Sequence, residues 1–292
     1  MPGYIDKLYP TNNLYKVTLF TDDASIISTH PNQMEFEKEF NNLFSNITRW
    51  FQINSLSLIF NKTHYMDFQL SSNAKKHVNK DFKIKHINKI CSTNFLGLML
   101  DSTLSWYPHI NNLVTRLNSA CYLIRYLKPL LPMETLRMVY FYSVHSLLSY
   151  GIIFWGNSSH GDTIFKLQRR SIRIIMRVSN NASCRELNVL PFYSQYIFSL
   201  LLFVVKNIDK FILNSTVHSI NTRHCSDLHL SAAHLTKVQK GVYHSGAKAF
   251  NSLPPGIKCL AQNIRRFKST LKNFLLEGVI LHHPGIFWLI LI

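Results

Sequence analysis

The sequence predicts an α+β chain in which strands come first and helices follow. Three observations carry this. Residues 14–20, LYKVTLF, alternate and are rich in β-formers, and a second β-rich run, ASIIS, follows two adjacent aspartates. Apolar residues then change to spacings of three and four between Phe36 and Phe51. From Pro108 onward the helical period dominates.

Taken in order, LYKVTLF and ASIIS read as a hairpin with Asp22-Asp23 as its two-residue tip. Phe36, Phe40, Leu43, Phe44, Ile47, Trp50 and Phe51 form the apolar face of a helix over 32–51, with Pro31 near its start. HYMDFQL (64–70) and HINKICSTNFLGLML (86–100) read as strands. Ile110, Leu113, Val114, Leu117, Cys121, Ile124 and Leu127 then make one helical stripe. PMETLRMVYFYSVHSLL is a second helix of this part, with Pro132 and Glu134 in its first turn. A third is expected over 162–178 and a fourth from about 185 to 207. The polar, His-containing stretch 208–240 reads as a loop or linker. FNSLPPGIK is a hard break, and NIRRFKSTLKNFLLE a last basic amphipathic helix. The terminal GIFWLILI is too short to span a bilayer and reads as a stray tail.

Composition narrows the class. Of 292 residues 47% are hydrophobic, enough for a sizeable core, so a disordered chain is not expected. Lys and Arg number 32 against 15 acidic residues, a formal net charge of +17. That surplus, spread along the whole chain, favours a polyanionic partner; a basic but inert surface is the plain alternative. Five widely spaced cysteines, with no C-x-x-C pair, argue against a disulfide framework and for a reducing compartment. MPGYIDKLYPTNN has no apolar core of a signal peptide.

Two adjacent carboxylates stand out in so basic a chain. At a turn they can be solvated turn formers. A rigid hairpin tip can also hold oxygens against Mg²⁺, which takes one or two carboxylates and completes its shell with substrate phosphates. Two such metals serve nucleotidyl transfer. His224, Cys225, His229 and His234 match no common zinc spacing and lack a second cysteine, so no zinc is expected.

The residues after the aspartates give the pair a context. Phe20 precedes Thr21-Asp22-Asp23. The next helix ends in a W-x-x-x-N-x-L pattern (Trp50, Asn54, Leu56). Lys62-Thr63 follows, with Met66 and Phe68 just beyond. F-L-G (Phe95, Leu96, Gly97) then leads into L-D-x-x-L-x-W (Leu100, Asp101, Leu104, Trp106). In order and spacing this succession resembles the reverse transcriptase of non-LTR retrotransposons, the jockey-like elements of arthropods in particular. LLSYGIIFWGNSS, LQRRSIRIIM and FNSLPPGIK with FKSTLKNFLL resemble its thumb, post-thumb and closing segments. The resemblance runs from residue 14 to about 276. Thr21 stands where the family has Ala. The family's further catalytic Asp, carried on an upstream strand, finds no counterpart: of the 21 residues before Asp22, only Asp6 is acidic, in an unrelated context.

The resemblance implies an α+β fold: a truncated polymerase palm of hairpin, helix and strands over 1–105. A helical thumb and post-thumb would occupy 106–207, and a linker and C-terminal basic helical region 208–292. It implies catalytic, metal-holding roles for Asp22 and Asp23, with Mg²⁺ or Mn²⁺. It also implies a phosphate contact at Lys62 and primer contacts at Phe95, Leu96 and Gly97. The alternatives are a solvated surface residue for Lys62 and an ordinary strand with a bulge for Phe95–Gly97; Trp106 and Tyr107 could stack on a base or ribose, with a packed core residue as the alternative for Trp106. Arg169, Arg170, Arg173 and Arg177 share one helix face, which is either a ridge tracking nucleic-acid phosphates or a solvated face. The expected partners are an RNA template and a DNA primer, without a membrane, inside the cell in nucleus or cytoplasm. The expected function is that of the C-terminal fragment of an RNA-directed DNA polymerase, inactive by itself. A non-catalytic RNA- or DNA-binding remnant of a mobile element is the alternative.

Overall fold

A computed structural model describes residues 15–20, 23–29, 33–56, 59–68, 87–177, 184–218, 225–277, 279–283 and 286–291. It is a helix-rich α+β chain with few, short strands. Packing divides it into two units, residues 1–67 with 73–91 and residues 68–72 with 92–292.

In the first unit β1 (Tyr15–Phe20) pairs antiparallel with β2 (Asp23–Ser28). The tip falls one residue earlier than the sequence suggested. Phe20 already pairs with Asp23, which leaves Thr21 and Asp22 between the strands. This register sets Val17 opposite Ile26, Thr18 opposite Ser25 and Leu19 opposite Ala24. A tip at Asp22-Asp23 would set Leu19 against Ile26 but Val17 against Ser28 and Thr18 against Ile27. Pairing like with like fixes the observed register. Helix α1 (Gln33–Ile53) follows, with Leu43 buried and the Phe36 and Phe40 rings 5.7 Å apart along its apolar face. Its end explains the W-x-x-x-N spacing. The Asn54 backbone N–H and side-chain amide both donate to the Trp50 carbonyl, at 3.1 and 2.8 Å, and Ser55 turns left-handed at φ 56°. Of the strand expected over 64–70, residues 69 and 70 lie outside the described residues; among 64–68 it is reduced to β3 (His64–Tyr65), paired in parallel with β4 (Asn88–Lys89) over two residues.

The second unit begins with the hairpin β5 (Ser92–Phe95) and β6 (Leu98–Asp101). Helix α2 (Tyr107–Leu127) buries Ile110, Leu113, Leu117, Cys121 and Ile124, the stripe read from the sequence. The helix expected next is α3 (Met133–Tyr140), a π-turn at Phe141–His145, and α4 (Ser146–Ser149). Gly151, left-handed at φ 59°, reverses the chain into α5 (Ile152–Trp155). Helix α6 (Gly161–Met176) packs along α2.

Helix α7 (Phe192–Lys206) starts later than about 185. Pro191 disfavours helix at the residue before it, and Asn188 adopts φ 53°, so 184–190 form a turn whose Leu187, Val189 and Leu190 are buried. Apolar on nearly all faces, α7 is the central helix, with α4, α5 and α6 against it. Among its described residues the stretch 208–240 is mostly loop, with a 3₁₀ turn at Ile208–Lys210 and two single-turn helices, α8 (Asn214–Val217) and α9 (Thr236–Gln239). It is anchored: Leu228 is buried, and the Asn251 amide both donates to and accepts from its backbone, at 2.8 and 2.9 Å. Helix α10 (Val242–Asn251) meets α7 at Gly246, where a Cβ would lie 2.7 Å from Val204. α11 (Pro255–Lys258) and α12 (Ile264–Glu277) close the helical part, with Phe267, Leu271 and Leu275 buried. The tail expected to be stray is instead paired: β8 (Ile286–Leu291) runs antiparallel to β7 (Val279–His283). Pro284 and Gly285, both turn formers, fall between them.

Candidate functional site

Asp22 lies outside the described residues. Asp23 is the first residue of β2, opposite Phe20. Lys62 ends a 3₁₀ turn, Phe60–Lys62, and is exposed. Next to it the Thr63 hydroxyl donates to the Ile59 carbonyl at 3.0 Å, so the Lys-Thr pair terminates a compact turn. Among the described residues no group of three or more His, Cys, Asp and Glu could hold a metal ion.

The other candidates belong to the second unit. Phe95 ends β5 and pairs with Leu98, so Leu96 and Gly97 are the hairpin turn, at φ 48° and 80°. Two consecutive left-handed residues are the signature of the tight turn that suits β twist. Glycine adopts it freely; leucine does so at a cost. Tyr150 braces the pair. Its hydroxyl donates to the Leu96 carbonyl, and a Cβ on Gly97 would lie 3.3 Å from its ring. The close approach that Gly97 permits is therefore occupied by this tyrosine. The sequence alone could not show it, since 54 residues separate the partners.

The L-D-x-x-L-x-W stretch has an equally local cause. One Asp101 oxygen accepts from the Thr103 backbone N–H and hydroxyl and from the Ser105 N–H at 3.0 Å; the other accepts from the Trp106 N–H at 2.9 Å. This net holds Leu104 and Trp106 left-handed, at φ 50° and 64°, and aims α2. Burial alone would raise the Asp101 carboxyl, but the Thr103, Ser105 and Trp106 hydrogen bonds outweigh it and hold it below its ordinary value. Trp106 is half-buried and packs at 6.1 Å against His109, which packs at 5.4 Å against Trp155. His109 Nδ1 faces the Met99 N–H at 3.4 Å, and burial, with Arg116 nearby, lowers its pKa.

Arg169, Arg170 and Arg173 stand on α6 opposite its buried Ile164, Gln168, Ser171, Ile172 and Ile175, and Arg177 follows its last residue. At 100° per residue the three on the helix span about 100° of arc, together with Lys166. Arg169 lies over the Phe165 ring at 5.8 Å. Arg177 ends the helix left-handed and donates to the Lys128 carbonyl at 3.2 Å. None of the four forms a salt bridge among the described residues. The opposite face is fixed by Gln168, whose amide donates to the Tyr140 hydroxyl at 2.9 Å and to the Leu190 carbonyl at 3.0 Å.

Among the described residues no helix is long and apolar enough to cross a membrane. No known protein family, curated protein or solved structure matches the chain.

Proposed function

We propose that this chain is the C-terminal part of a non-LTR retrotransposon reverse transcriptase, of the jockey-like kind. Its β1–β2 hairpin is then the end of the palm, and its helical unit the thumb and post-thumb region that grips an RNA template and a DNA primer. The carrying observation is the ordered set Phe20-Thr21-Asp22-Asp23, Trp50, Asn54, Lys62-Thr63, Phe95-Leu96-Gly97 and Asp101 to Trp106. The folded chain supports it with a two-residue connection between Phe20 and Asp23, a 21-residue helix next, and a tight F-L-G hairpin before the helices.

Two carboxylates fit a hard cation such as Mg²⁺ or Mn²⁺, which draws its other ligands from water and substrate phosphates. Asp22 and Asp23 would hold it. When bound, such ions activate a primer 3′ hydroxyl and stabilise the leaving pyrophosphate. Lys62, exposed at its turn, contributes a positive charge for phosphate. The resemblance assigns the primer end to Phe95, Leu96 and Gly97, a turn whose backbone Tyr150 already braces, and the α6 arginines neutralise backbone phosphates. In the family resembled, a further carboxylate from a separate strand completes the metal site. The chain alone is therefore expected to bind template–primer without extending it.

A non-catalytic RNA- or DNA-binding remnant is the second reading, favoured by one observation: the α6 arginines are free of carboxylate partners among the described residues. The test is primer extension on poly(A)–oligo(dT) with Mg²⁺ or Mn²⁺, beside an Asp22→Asn control. Binding at low salt, lost at high salt and without extension, is the expected result. Extension abolished by Asp22→Asn would make the site complete within this chain. No binding at low salt would overturn both readings.

A further inference from the structure

We propose that the α2–α6 surface is a subsite for single-stranded nucleic acid, in which Tyr122 and Tyr126 stack on two successive bases while the flanking cations take the phosphates. The proposal deepens the reading above and rests on it for the nature of the partner.

Tyr122 and Tyr126 are 70% and 64% exposed although they belong to a well-packed helix. They sit on the side of α2 away from Leu117 and Ile124, one turn apart, which is about 6 Å along the axis. Neither ring packs on another aromatic ring among the described residues. Their neighbours are cationic. Cys121, which donates to the Leu167 carbonyl across the helix pair, feels the charges of both Arg125 and Arg170. Those two arginines therefore flank the seam between the helices, Arg125 on the same turn as Tyr122 and Tyr126. At the far end the Arg177 guanidinium meets the Lys128 carbonyl, so the two helices run side by side toward one cationic end.

Two exposed rings inside a field of positive charge distinguish among polyanions. In a duplex the bases already stack on one another, and exposed rings gain little. In a single strand each base has a free face, and stacking on an aromatic side chain tolerates any base. Phosphates supply the charge complement that Arg125, Arg170, Arg173 and Arg177 lack among the described residues. An anionic membrane would match the charge too, but it gains from a broad apolar face with cations at its rim. Here the exposed rings carry hydroxyls, and Arg125 stands on α2 between them and the seam with α6.

The test is fluorescence anisotropy of the full chain with labelled (dT)20, a 20-base-pair duplex and an RNA–DNA template–primer, across a salt series. Tyr122→Ala with Tyr126→Ala is expected to weaken (dT)20 binding at least about tenfold, leaving duplex affinity and salt slope unchanged. Tyr122→Phe with Tyr126→Phe retains the rings and is expected to retain binding. Arg125→Gln with Arg170→Gln is expected to reduce the salt slope on the single strand by about 1.4, from about 0.7 per phosphate contact. All four positions changed are surface ones, and unaltered circular dichroism verifies folding. Unchanged (dT)20 affinity in the alanine pair overturns the stacking site; retained template–primer binding in that case leaves the proposed function standing. No binding to any nucleic acid overturns both. Binding to phosphatidylserine vesicles but not to (dT)20 overturns this proposal in favour of a membrane surface.

Discussion

Replacing Asp101 by Asn removes one charge and one acceptor while keeping size. The two carboxylate oxygens share four donors: the Thr103 N–H and hydroxyl and the Ser105 N–H on one side, the Trp106 N–H on the other. An amide has a single oxygen. If it serves Thr103 and Ser105, its NH₂ faces the Trp106 N–H, donor against donor. One charge-assisted hydrogen bond, about 1.5–3 kcal/mol, is lost, and the remaining three fall to neutral strength. The expected destabilisation is about 3 kcal/mol; Ala, which leaves every donor open, costs about 4 kcal/mol. Urea unfolding followed by circular dichroism reads this as a midpoint lowered by about 1.5 M at a slope of about 2 kcal/mol per M. The pH dependence has a definite sign. A carboxyl held below its ordinary 3.8 contributes fully above that value and loses its contribution as pH falls through the lower folded one. The gap between wild type and Asp101→Asn should thus be equal at pH 7 and pH 5 and narrow only below about pH 4. A midpoint shift under about 0.25 M, or a gap that closes between pH 7 and 5, would refute the assigned net.

Gly97→Ala places a Cβ at φ 80° and 3.3 Å from the Tyr150 ring, so it should cost about 1–2 kcal/mol in the same assay; adding Tyr150→Ala should relieve the contact but not the backbone strain. His109 and His145 have pKa values lowered by burial, with Arg116 and Lys272 respectively adding repulsion, so the unfolded chain takes up their protons first. Stability should hold above pH 6.5 and fall below it by up to about 1.4 kcal/mol per pH unit for each, and His109→Phe should flatten the curve between pH 6.5 and 5. Burial also pushes the Cys121 thiol up, whereas Cys91 and Cys259 are exposed. Iodoacetamide at pH 8 should therefore label Cys91 and Cys259 in the native chain, and Cys121 only after denaturation, as read by peptide mass.

Helices α1, α2, α6 and α12 were legible because each carries an apolar stripe long enough to define its own period. The late start of α7 follows from Pro191, where backbone geometry overrides an apolar pattern that continues across it. Among the described residues 64–68 the expected strand shrank to two, because a strand exists only with a partner, and pattern does not name one. Among the candidate residues, Phe95, Leu96, Gly97 and the α6 arginines were found by motif or spacing. What braces them was not. Tyr150 reaches Leu96 across 54 residues, and the Asp101 net is built largely from backbone donors that carry no sequence signal. Tyr122 and Tyr126 left a trace, two tyrosines four apart on the polar side of an amphipathic helix, but their cationic surroundings come from a second helix.

The left-handed residues bear on where function resides. Six non-glycine residues adopt positive φ among those described, and three of them, Leu96, Leu104 and Trp106, fall within eleven positions. Each costs roughly 1–3 kcal/mol and persists only where neighbours over-determine it. Here the neighbours are specific: the Tyr150 hydroxyl on the Leu96 carbonyl, and the Asp101 carboxylate on the turn through Leu104 to Trp106. A chain selected only for stability would relieve such positions with glycine or asparagine, and Gly97 shows that glycine was accessible one residue away. Strain concentrated in 96–106 therefore argues that this backbone path is itself required, independently of any motif. It is also the stretch to which the resemblance gives the primer terminus. Loss of primer affinity in Leu96→Gly, which relaxes the turn while stabilising the fold, would join the two lines of reasoning; undiminished affinity would separate them and leave the braces with a purely architectural role.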